Sequence, residues 1–133
     1  MVMLFDLYNL PEDVYQVIFA TEQQVIVAKM LISQMKQYGG EIGKAEMSLF
    51  ANQLHEGMTI KEENEKIPRQ LRKPSTISYN KRQFYDRILT PMRAMGMIDY
   101  DMYRKRYKVS DRFNKAMIRI GLMWVQEVQK KSL

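Results

Sequence analysis

The sequence predicts a mainly α-helical fold that carries one small β-hairpin. Four segments repeat apolar side chains every three or four residues, which is the period of a helix with one buried face. They are residues 22–38, 44–54, 78–95 and 111–130. Residues 97–109 alternate apolar and polar side chains instead, as strands do. A chain of 133 residues supports one hydrophobic core but not two, so we predict a single domain.

The most informative stretch is residues 78–110, where a helix leads directly into the hairpin. The apolar side chains of this helix recur at helical spacing: Phe84, Ile88, Met92 and Met95. Pro91 lies inside the helix and removes one backbone hydrogen bond, so we expect a kink near Arg87. Gly96 ends the helix, because glycine readily adopts a left-handed backbone. The hairpin tip has no Gly, Asn or Pro, which predicts a loop of four or five residues around 103–105.

The net charge of +6 is distributed unevenly along the chain. Residues 1–65 hold four Lys or Arg against ten Asp or Glu, whereas residues 66–108 hold twelve against three. Residues 109–133 hold five against two. The cations therefore collect on and around the central helix and hairpin. Such a run is either a solvated surface or one that attracts phosphate.

The helix and basic hairpin together resemble the recognition helix and wing of the winged helix-turn-helix superfamily. The string LTPMRAMGMI, residues 89–98, is similar to that family's sequence pattern at the end of the recognition helix. In this pattern a leucine and three apolar positions precede a glycine and an apolar pair that lead into the wing. The resemblance covers most of residues 22–128. It implies binding of double-stranded DNA, usually by transcriptional regulators, although some winged helices bind only protein.

The resemblance also implies which residues contact DNA. In such docking the exposed residues near the start of the recognition helix reach base edges. These are Tyr79, Asn80, Lys81, Arg82, Gln83 and Tyr85, with Ser78 or Asn80 as the helix cap. Asn and Gln pair with adenine and Arg with guanine. The cations of the wing are expected to contact phosphates or the minor groove: Arg104, Lys105, Arg106 and Lys108.

The segments before the central helix fit the same fold. Thr21 is a suitable cap for the first core helix, which stops at Gly39 and Gly40. Residues 41–42 lie where winged helices place a short strand that pairs with the wing. The second helix, residues 44–54, is predicted to turn three side chains inward: Met47, Phe50 and Leu54. An N-terminal extension, residues 1–20, contains a predicted helix over 11–19, whose apolar residues either cover the core or form a dimer interface.

A connection of about twenty residues, 55–77, separates the second helix from the recognition helix, where the family has only a few. Thr59, with Glu62 and Glu63, predicts the start of a short helix that ends before Pro68. The second half is basic and contributes three candidate DNA contacts: Arg69, Arg72 and Lys73. This insertion is either a solvated surface loop or an additional contact to the DNA backbone.

The last helix has two apolar stripes, more than a small core needs. One is Phe113, Met117, Ile120, Trp124 and Val128, and the other is Ile118, Leu122 and Val125. Gly121 in mid-helix is unfavourable by about 1 kcal/mol relative to alanine, which makes sense where another helix approaches closely. The helix either completes the core or forms a homodimer, and we favour the homodimer. The expected interface residues are Ile118, Gly121, Leu122, Trp124 and Val125.

Several classes of function have no support in the sequence. There is no cysteine and only one histidine, His55, so we expect no disulfide and no metal site. We found no catalytic or nucleotide-binding motif and predict a non-enzyme without a cofactor. The twelve methionines are read as core rather than as a small-molecule effector pocket. We expect no membrane segment and a cytoplasmic location.

We therefore predict one winged-helix domain, 1–133, mainly α with a small β-hairpin. Its parts are the extension 1–20, the core 21–110 with the insertion 55–77, and the C-terminal helix 111–133. The predicted function is sequence-specific binding of double-stranded DNA by a homodimeric transcriptional regulator. The alternatives are a protein-interaction module in replication or transcription machinery, or a non-specific architectural nucleic-acid binder.

Overall fold

The computed structural model describes residues 6–60 and 75–131. Its helices are α1 (Val14–Ile18), α2 (Glu22–Gln37), α3 (Lys44–Glu56), α4 (Lys81–Phe84), α5 (Thr90–Ala94) and α6 (Arg112–Gln129). Its strands are β1 (Glu41–Gly43), β2 (Met58–Ile60), β3 (Ser75–Ile77), β4 (Ile98–Asp101) and β5 (Arg106–Val109). The protein is mainly helical with small antiparallel sheets, which confirms the coarse fold class that the sequence predicts.

A three-stranded antiparallel sheet joins the hairpin to the first half of the chain. Its strand order is β1-β5-β4, so the hairpin strand β5 lies in the middle. Ile42 of β1 pairs with Tyr107, which pairs in turn with Tyr100 of β4. The backbone N–H of Lys44 also donates to the carbonyl of Lys105, at 3.0 Å. The predicted short strand at residues 41–42 is thereby confirmed, together with its pairing to the hairpin.

The core lies between α2, α3 and the central helix. The side chains of Met47, Phe50 and Leu54 on α3 are completely or almost completely buried, as their spacing predicts. The ring of Phe50 meets that of Phe84 with centroids 5.4 Å apart and planes tilted by 58°. Each large apolar side chain buried in this way stabilises the fold by about 1.5–3 kcal/mol. The start of α2 is held by a capping box between Thr21 and Gln24.

The central helix consists of α4, a π-helical turn (Tyr85–Leu89) and α5, which follow one another without a break. We call it the α4–α5 helix. In the π-helical turn the N–H of Thr90 reaches the carbonyl of Tyr85, five residues back. Pro91 follows immediately and has no N–H to donate. The irregularity that the proline predicts near Arg87 therefore takes the form of a π-helical turn.

Two predicted helices differ from the structure. The predicted helix over 11–19 is shorter, Val14–Ile18, because the Asp13 carboxylate accepts the N–H of Tyr15 and caps the chain there. The predicted start of a short helix at Thr59 is wrong, since this residue lies in β2 and pairs with Thr76 of β3, and the rest of that predicted helix lies outside the described residues. Threonine is a residue type that is enriched in strands. Residues 61–74, including Glu62, Glu63 and Pro68, lie outside the described residues.

The last helix, α6, is attached to the rest of the fold by its first turn. The N–H of Phe113 donates to the carbonyl of Gly96 at 3.0 Å, and Arg112 forms an ion pair with Asp99 at 3.4 Å. Residues 114–130 are all exposed. The alternative in which both apolar stripes complete the core of the same chain is therefore wrong.

The N-terminal segment divides its apolar residues between the core and the surface. Tyr15, Ile18 and Phe19 pack on the core cluster, as the first alternative for this segment requires. Four other apolar side chains remain exposed: Leu7, Tyr8, Leu10 and Val14. None of the helices in the described ranges has the length and apolar character needed to cross a bilayer.

Candidate nucleic-acid interface

The outer face of the α4–α5 helix is a continuous exposed stripe. Phe84, Ile88 and Met92 turn into the core and leave the opposite side to solvent. The exposed residues on that side are Arg82, Gln83, Asp86, Arg87, Thr90, Arg93 and Ala94. Three arginines and one glutamine against a single aspartate make this stripe basic and rich in hydrogen-bond donors. Its second half, from Arg87 onward, was absent from the predicted contact residues, although its spacing opposite the core stripe could have identified it.

The start of the α4–α5 helix is fixed by polar contacts. The side-chain oxygen of Asn80 accepts the N–H groups of Arg82 and Gln83, which confirms Asn80 as the cap. The N–H of Lys81 donates to Nδ1 of His55 at 3.2 Å. The Ser78 hydroxyl donates to the carbonyl of His55, also at 3.2 Å. The end of α3 therefore holds the beginning of the exposed stripe, and Asn80 already uses its oxygen within the protein.

Two tyrosines among the predicted contact residues face the core instead. Tyr79 is only 6% exposed, and its N–H donates to the carbonyl of Leu54 at 2.9 Å. The prediction that Tyr79 reaches base edges is therefore wrong, because it precedes the helix and packs beside α3. Tyr85 is half-buried and packs edge-on against the ring of Phe84, with centroids 5.4 Å apart. Its ring is thus directed toward the core cluster rather than outward with Arg82.

Charges alternate across the outer face of the three-stranded sheet. Lys108 lies between Glu41 and Asp99, its partners on the two neighbouring strands. In the next row Arg106 lies opposite Asp101. Directly opposed residues of a sheet project from the same face, so each cation has an acidic neighbour. The sequence shows a basic hairpin, but the sheet supplies it with nearby carboxylates.

Glu41 in particular binds two of the predicted contact residues. Its Oε1 lies 2.7 Å from Nε of Arg106 and 2.9 Å from Nη2 of Arg104. The Glu41 side chain is one quarter exposed, and Arg106 is half-buried. A phosphate that bound these arginines would compete with a carboxylate already in place. Of the four predicted wing cations, Lys105 and Lys108 are exposed without such a contact in the described residues.

The loop between β4 and β5 contains four residues, 102–105, which confirms the predicted loop length. The side-chain oxygen of Asp101 accepts the N–H groups of Tyr103 and Arg104, at 3.0 and 3.1 Å. Lys105 has a φ of 51°, the left-handed conformation that closes the turn. The side chain of Tyr103 is 99% exposed and that of Met102 is 77% exposed. The tip of the hairpin therefore presents an aromatic ring and a thioether beside the exposed Arg104 and Lys105.

A shallow cleft connects the helix stripe to the sheet. It is lined by Thr90, Arg93, Ala94, Ile98, Asp99, Tyr100 and Arg112. The guanidinium of Arg93 lies over the ring of Tyr100, 5.3 Å from its centroid. Tyr100 stacks in turn on Tyr107, with centroids 4.5 Å apart, and burial raises the pKa of the Tyr107 hydroxyl. The exposed helix stripe and the hairpin therefore form one connected surface.

Helix α6 separates its charges from its apolar residues. At 100° per residue, Arg112, Lys115 and Arg119 share one narrow side of the helix. The two apolar stripes lie on other sides of the helix, and Gly121 lies between them near the middle of the helix. Met123 is the exception, since it lies on the basic side. A Cβ at Gly121 would meet no atom within 4 Å. Each expected dimer residue, Ile118, Leu122, Trp124 and Val125, is exposed at this surface.

The three cations predicted in the insertion, Arg69, Arg72 and Lys73, lie outside the described residues. Comparisons with protein-family models, curated proteins and solved structures found no match to this chain.

Proposed function

We propose that this protein is a winged-helix regulator that binds double-stranded DNA sequence-specifically as a homodimer. In this proposal the α4–α5 helix is the recognition helix and the β4–β5 hairpin is the wing. The observation that carries it is the exposed stripe of three arginines and a glutamine on a helix whose start and end are both anchored. A rigid helix that presents several donors in a row suits the major groove, where bases are told apart by hydrogen bonding.

The residues of the stripe divide into two roles. Arg82 and Gln83, near the start of the helix, are assigned to base edges, because this is the end of a recognition helix that enters the groove. Arg82 has an aspartate neighbour, Asp86, at 3.9 Å, but both side chains are largely exposed and the pair is weak. Arg87 and Arg93 are assigned to phosphates, which position the protein without reading sequence.

The proposed homodimer rests on α6. Seven large apolar side chains of its two stripes are between 37% and 69% exposed: Met117, Ile118, Ile120, Leu122, Trp124, Val125 and Val128. At on the order of 100 Å² each, they offer about 700 Å², close to the roughly 800 Å² that each partner contributes to a standard interface. We assign this surface to a second copy of the chain, because a two-fold dimer also matches a near-palindromic DNA site. Gly121 would allow the two helices to approach closely.

The test is a fluorescence-anisotropy titration against a labelled duplex pool of random sequence at two salt concentrations. The unaltered protein should bind more tightly at low salt, and repeated selection from the pool should enrich a sequence. Arg87→Ala should lower the slope of log K against log salt by about 0.9, the effect of one lost phosphate contact. Arg82→Ala should instead erase discrimination between selected and random sites, by about 1–3 kcal/mol for a good bidentate pair.

Lys36→Ala provides the matched control, since it removes one exposed cation from the end of α2 rather than from the stripe. It should leave both the slope and the selectivity nearly unchanged. Absence of any salt-dependent binding by the unaltered protein would refute DNA binding. If Lys36→Ala and Arg87→Ala lowered the salt slope equally, the net charge of the protein, and not the stripe, would attract DNA.

A protein-interaction role is the second candidate, and one observation favours it. The carboxylate of Glu41 holds both Arg104 and Arg106. Asp101 also lies opposite Arg106, and Asp99 lies opposite Lys108. A wing with such compensated charge attracts DNA less strongly than its sequence suggests. In this second candidate the hairpin binds another protein, and the anisotropy titration above shows no salt-dependent duplex binding.

A further inference from the structure

We propose that Tyr103 at the tip of the β4–β5 hairpin is a nucleobase-stacking residue that packs against an unstacked base of the bound nucleic acid. This inference rests on the proposed function, since it requires that the protein bind nucleic acid. It changes the expected chemistry of the hairpin tip from phosphate attraction to contact with a base.

The first argument is that the tip is held in one conformation. The carboxylate of Asp101 accepts two consecutive N–H groups, from Tyr103 and Arg104. The carbonyl of Lys105 accepts the N–H of Lys44 at the start of α3. The loop is thus tied at both ends, to its own strand and to a core helix. A side chain projected from a fixed loop loses less conformational freedom on binding than one from a loose loop.

The second argument is the arrangement of the cations around the tip. The expected phosphate contacts, Arg104 and Arg106, are folded back toward the sheet by Glu41, at 2.9 and 2.7 Å. Met102 and Tyr103 instead extend into solvent, and the tyrosine ring has almost no contact with its own protein. The exposed Lys105 remains beside them. The tip therefore offers an exposed aromatic ring next to positive charge.

The third argument is the chemistry of this combination. An exposed aromatic ring next to cations is the arrangement with which proteins stack on bases while the backbone is held electrostatically. Apolar side chains such as methionine also act as wedges that open a base step. A purely phosphate-binding tip would need neither group. Water is a poor environment for a ring of this size, so a binding partner that covers it gains affinity.

The experiment places the only tryptophan of the protein at the tip. Trp124→Phe removes the native tryptophan but keeps a ring at this position of the proposed dimer surface, and light scattering and a binding titration first compare this background with the unaltered protein. Tyr103→Trp in that background then reports on the hairpin alone. The probe is an unlabelled duplex of alternating T and A, whose TA steps unstack readily. At saturation the emission of the tip tryptophan should fall severalfold, because nucleobases in contact quench indole, and its accessibility to acrylamide should fall with it.

Tyr8→Trp in the same Trp124→Phe background is the matched control, since Tyr8 is 93% exposed but belongs to the N-terminal segment. Its emission and acrylamide accessibility should not change with the duplex. In the affinity measurement, Tyr103→Ala should weaken binding about tenfold, whereas Tyr103→Phe retains the ring and should bind as the unaltered protein does. Both variants alter an exposed side chain, so their thermal unfolding should be unchanged.

The possible results separate this inference from the proposed function. If anisotropy of a labelled copy of this duplex detects the complex but the tip tryptophan stays as accessible as the one at position 8, Tyr103 does not stack and the inference fails alone. Unchanged affinity of Tyr103→Ala for the same duplex would also overturn it. If the unaltered protein does not bind the duplex at all, the proposed function fails and this inference with it.

Discussion

At the scale of single residues, Glu41 sets the charge that the hairpin presents. It lies 65 residues before Arg106 in the chain, yet the pairing of β1 with β5 brings the two together. Glu41→Gln should free Arg104 and Arg106 for phosphate. We expect tighter binding of random duplex at low salt and a salt slope steeper by up to about 1.8, the effect of two added contacts. Anisotropy titrations at several salt concentrations would measure it.

The control for this prediction is Glu12→Gln, which changes the net charge equally at an exposed position in the N-terminal segment. It should raise affinity only slightly. If Glu41→Gln instead weakens binding, the carboxylate is needed to orient the arginines, and the competition argument is wrong.

A second residue-scale prediction concerns Asp13 and Lys29. A hydrogen bond from the Lys29 ammonium lowers the pKa of the Asp13 carboxyl below its ordinary value. Because the pKa is lower in the folded state, the ionised carboxylate stabilises the fold at pH values above the unfolded-state pKa, near 4. This contribution is lost as the pH falls through the folded-state pKa. Lys29→Met should therefore reduce the free energy of unfolding by less than about 1 kcal/mol at pH 7. The loss should be smaller at about pH 3, which is below the unfolded pKa.

Urea unfolding of both proteins at the two pH values would measure this difference. Lys36→Met, an exposed change at the end of the same helix, should show no comparable dependence on pH. An effect of Lys29→Met that is equally large at both pH values would assign it to packing on Tyr15 rather than to the ion pair.

At the scale of elements, Gly96 joins the α4–α5 helix to α6. Its φ is +83°, and an added Cβ would lie 3.0 Å from the backbone nitrogen of Phe113 and from Cβ of Arg112. Gly96→Ala should therefore lower the free energy of unfolding by about 1–2 kcal/mol through strain of the left-handed backbone. It should lower it further because the first turn of α6 must move away from the added Cβ. Gly39 has a similar φ of +78° but no atom within 4 Å of the added Cβ. Gly39→Ala should cost the strain alone.

Denaturant unfolding of the two variants isolates the close contact at Gly96. We expect Gly96→Ala to lose about 1 kcal/mol or more beyond Gly39→Ala. Equal losses would show that α6 shifts freely at its attachment and that the first turn does not fix its direction.

At the scale of the whole molecule, α6 carries eight exposed large apolar side chains, more than any other element in the described part of the chain. Trp124→Glu and Leu122→Glu each place a charge on the surface that we assign to a second copy. Because both side chains are exposed in the single chain, the variants should fold and yet remain monomeric. Light scattering coupled to size-exclusion chromatography at tens of micromolar should show a dimer for the unaltered protein and monomers for the variants.

Arg119→Glu is the matched control, since it changes charge on the basic side of α6 and should leave the dimer intact. A monomeric unaltered protein would refute the dimer. Dissociation by Arg119→Glu as readily as by Trp124→Glu would show that charge on the helix, and not its apolar stripes, controls assembly.

The sequence alone determined most of the secondary structure and its limits. Thr21 and Asn80 cap their helices, Gly96 ends the α4–α5 helix, and Pro91 marks the irregularity before it. These features depend on interactions within a few residues, namely capping hydrogen bonds, the φ of glycine and the missing N–H of proline. Thr59 was one exception, because its pairing with Thr76 joins strands that are distant in sequence.

The tertiary structure alone decided which of the predicted contact residues are exposed. Tyr79 is adjacent in sequence to the exposed Asn80, but it is buried against α3. The sequence shows that Arg104 and Arg106 are positively charged, but only the folded sheet brings Glu41 into contact with them. The two stripes of α6 are apolar by sequence, but their spacing could not show that this chain leaves them uncovered. Periodicity specifies the composition of a face, whereas its covering depends on contacts between distant parts of the chain.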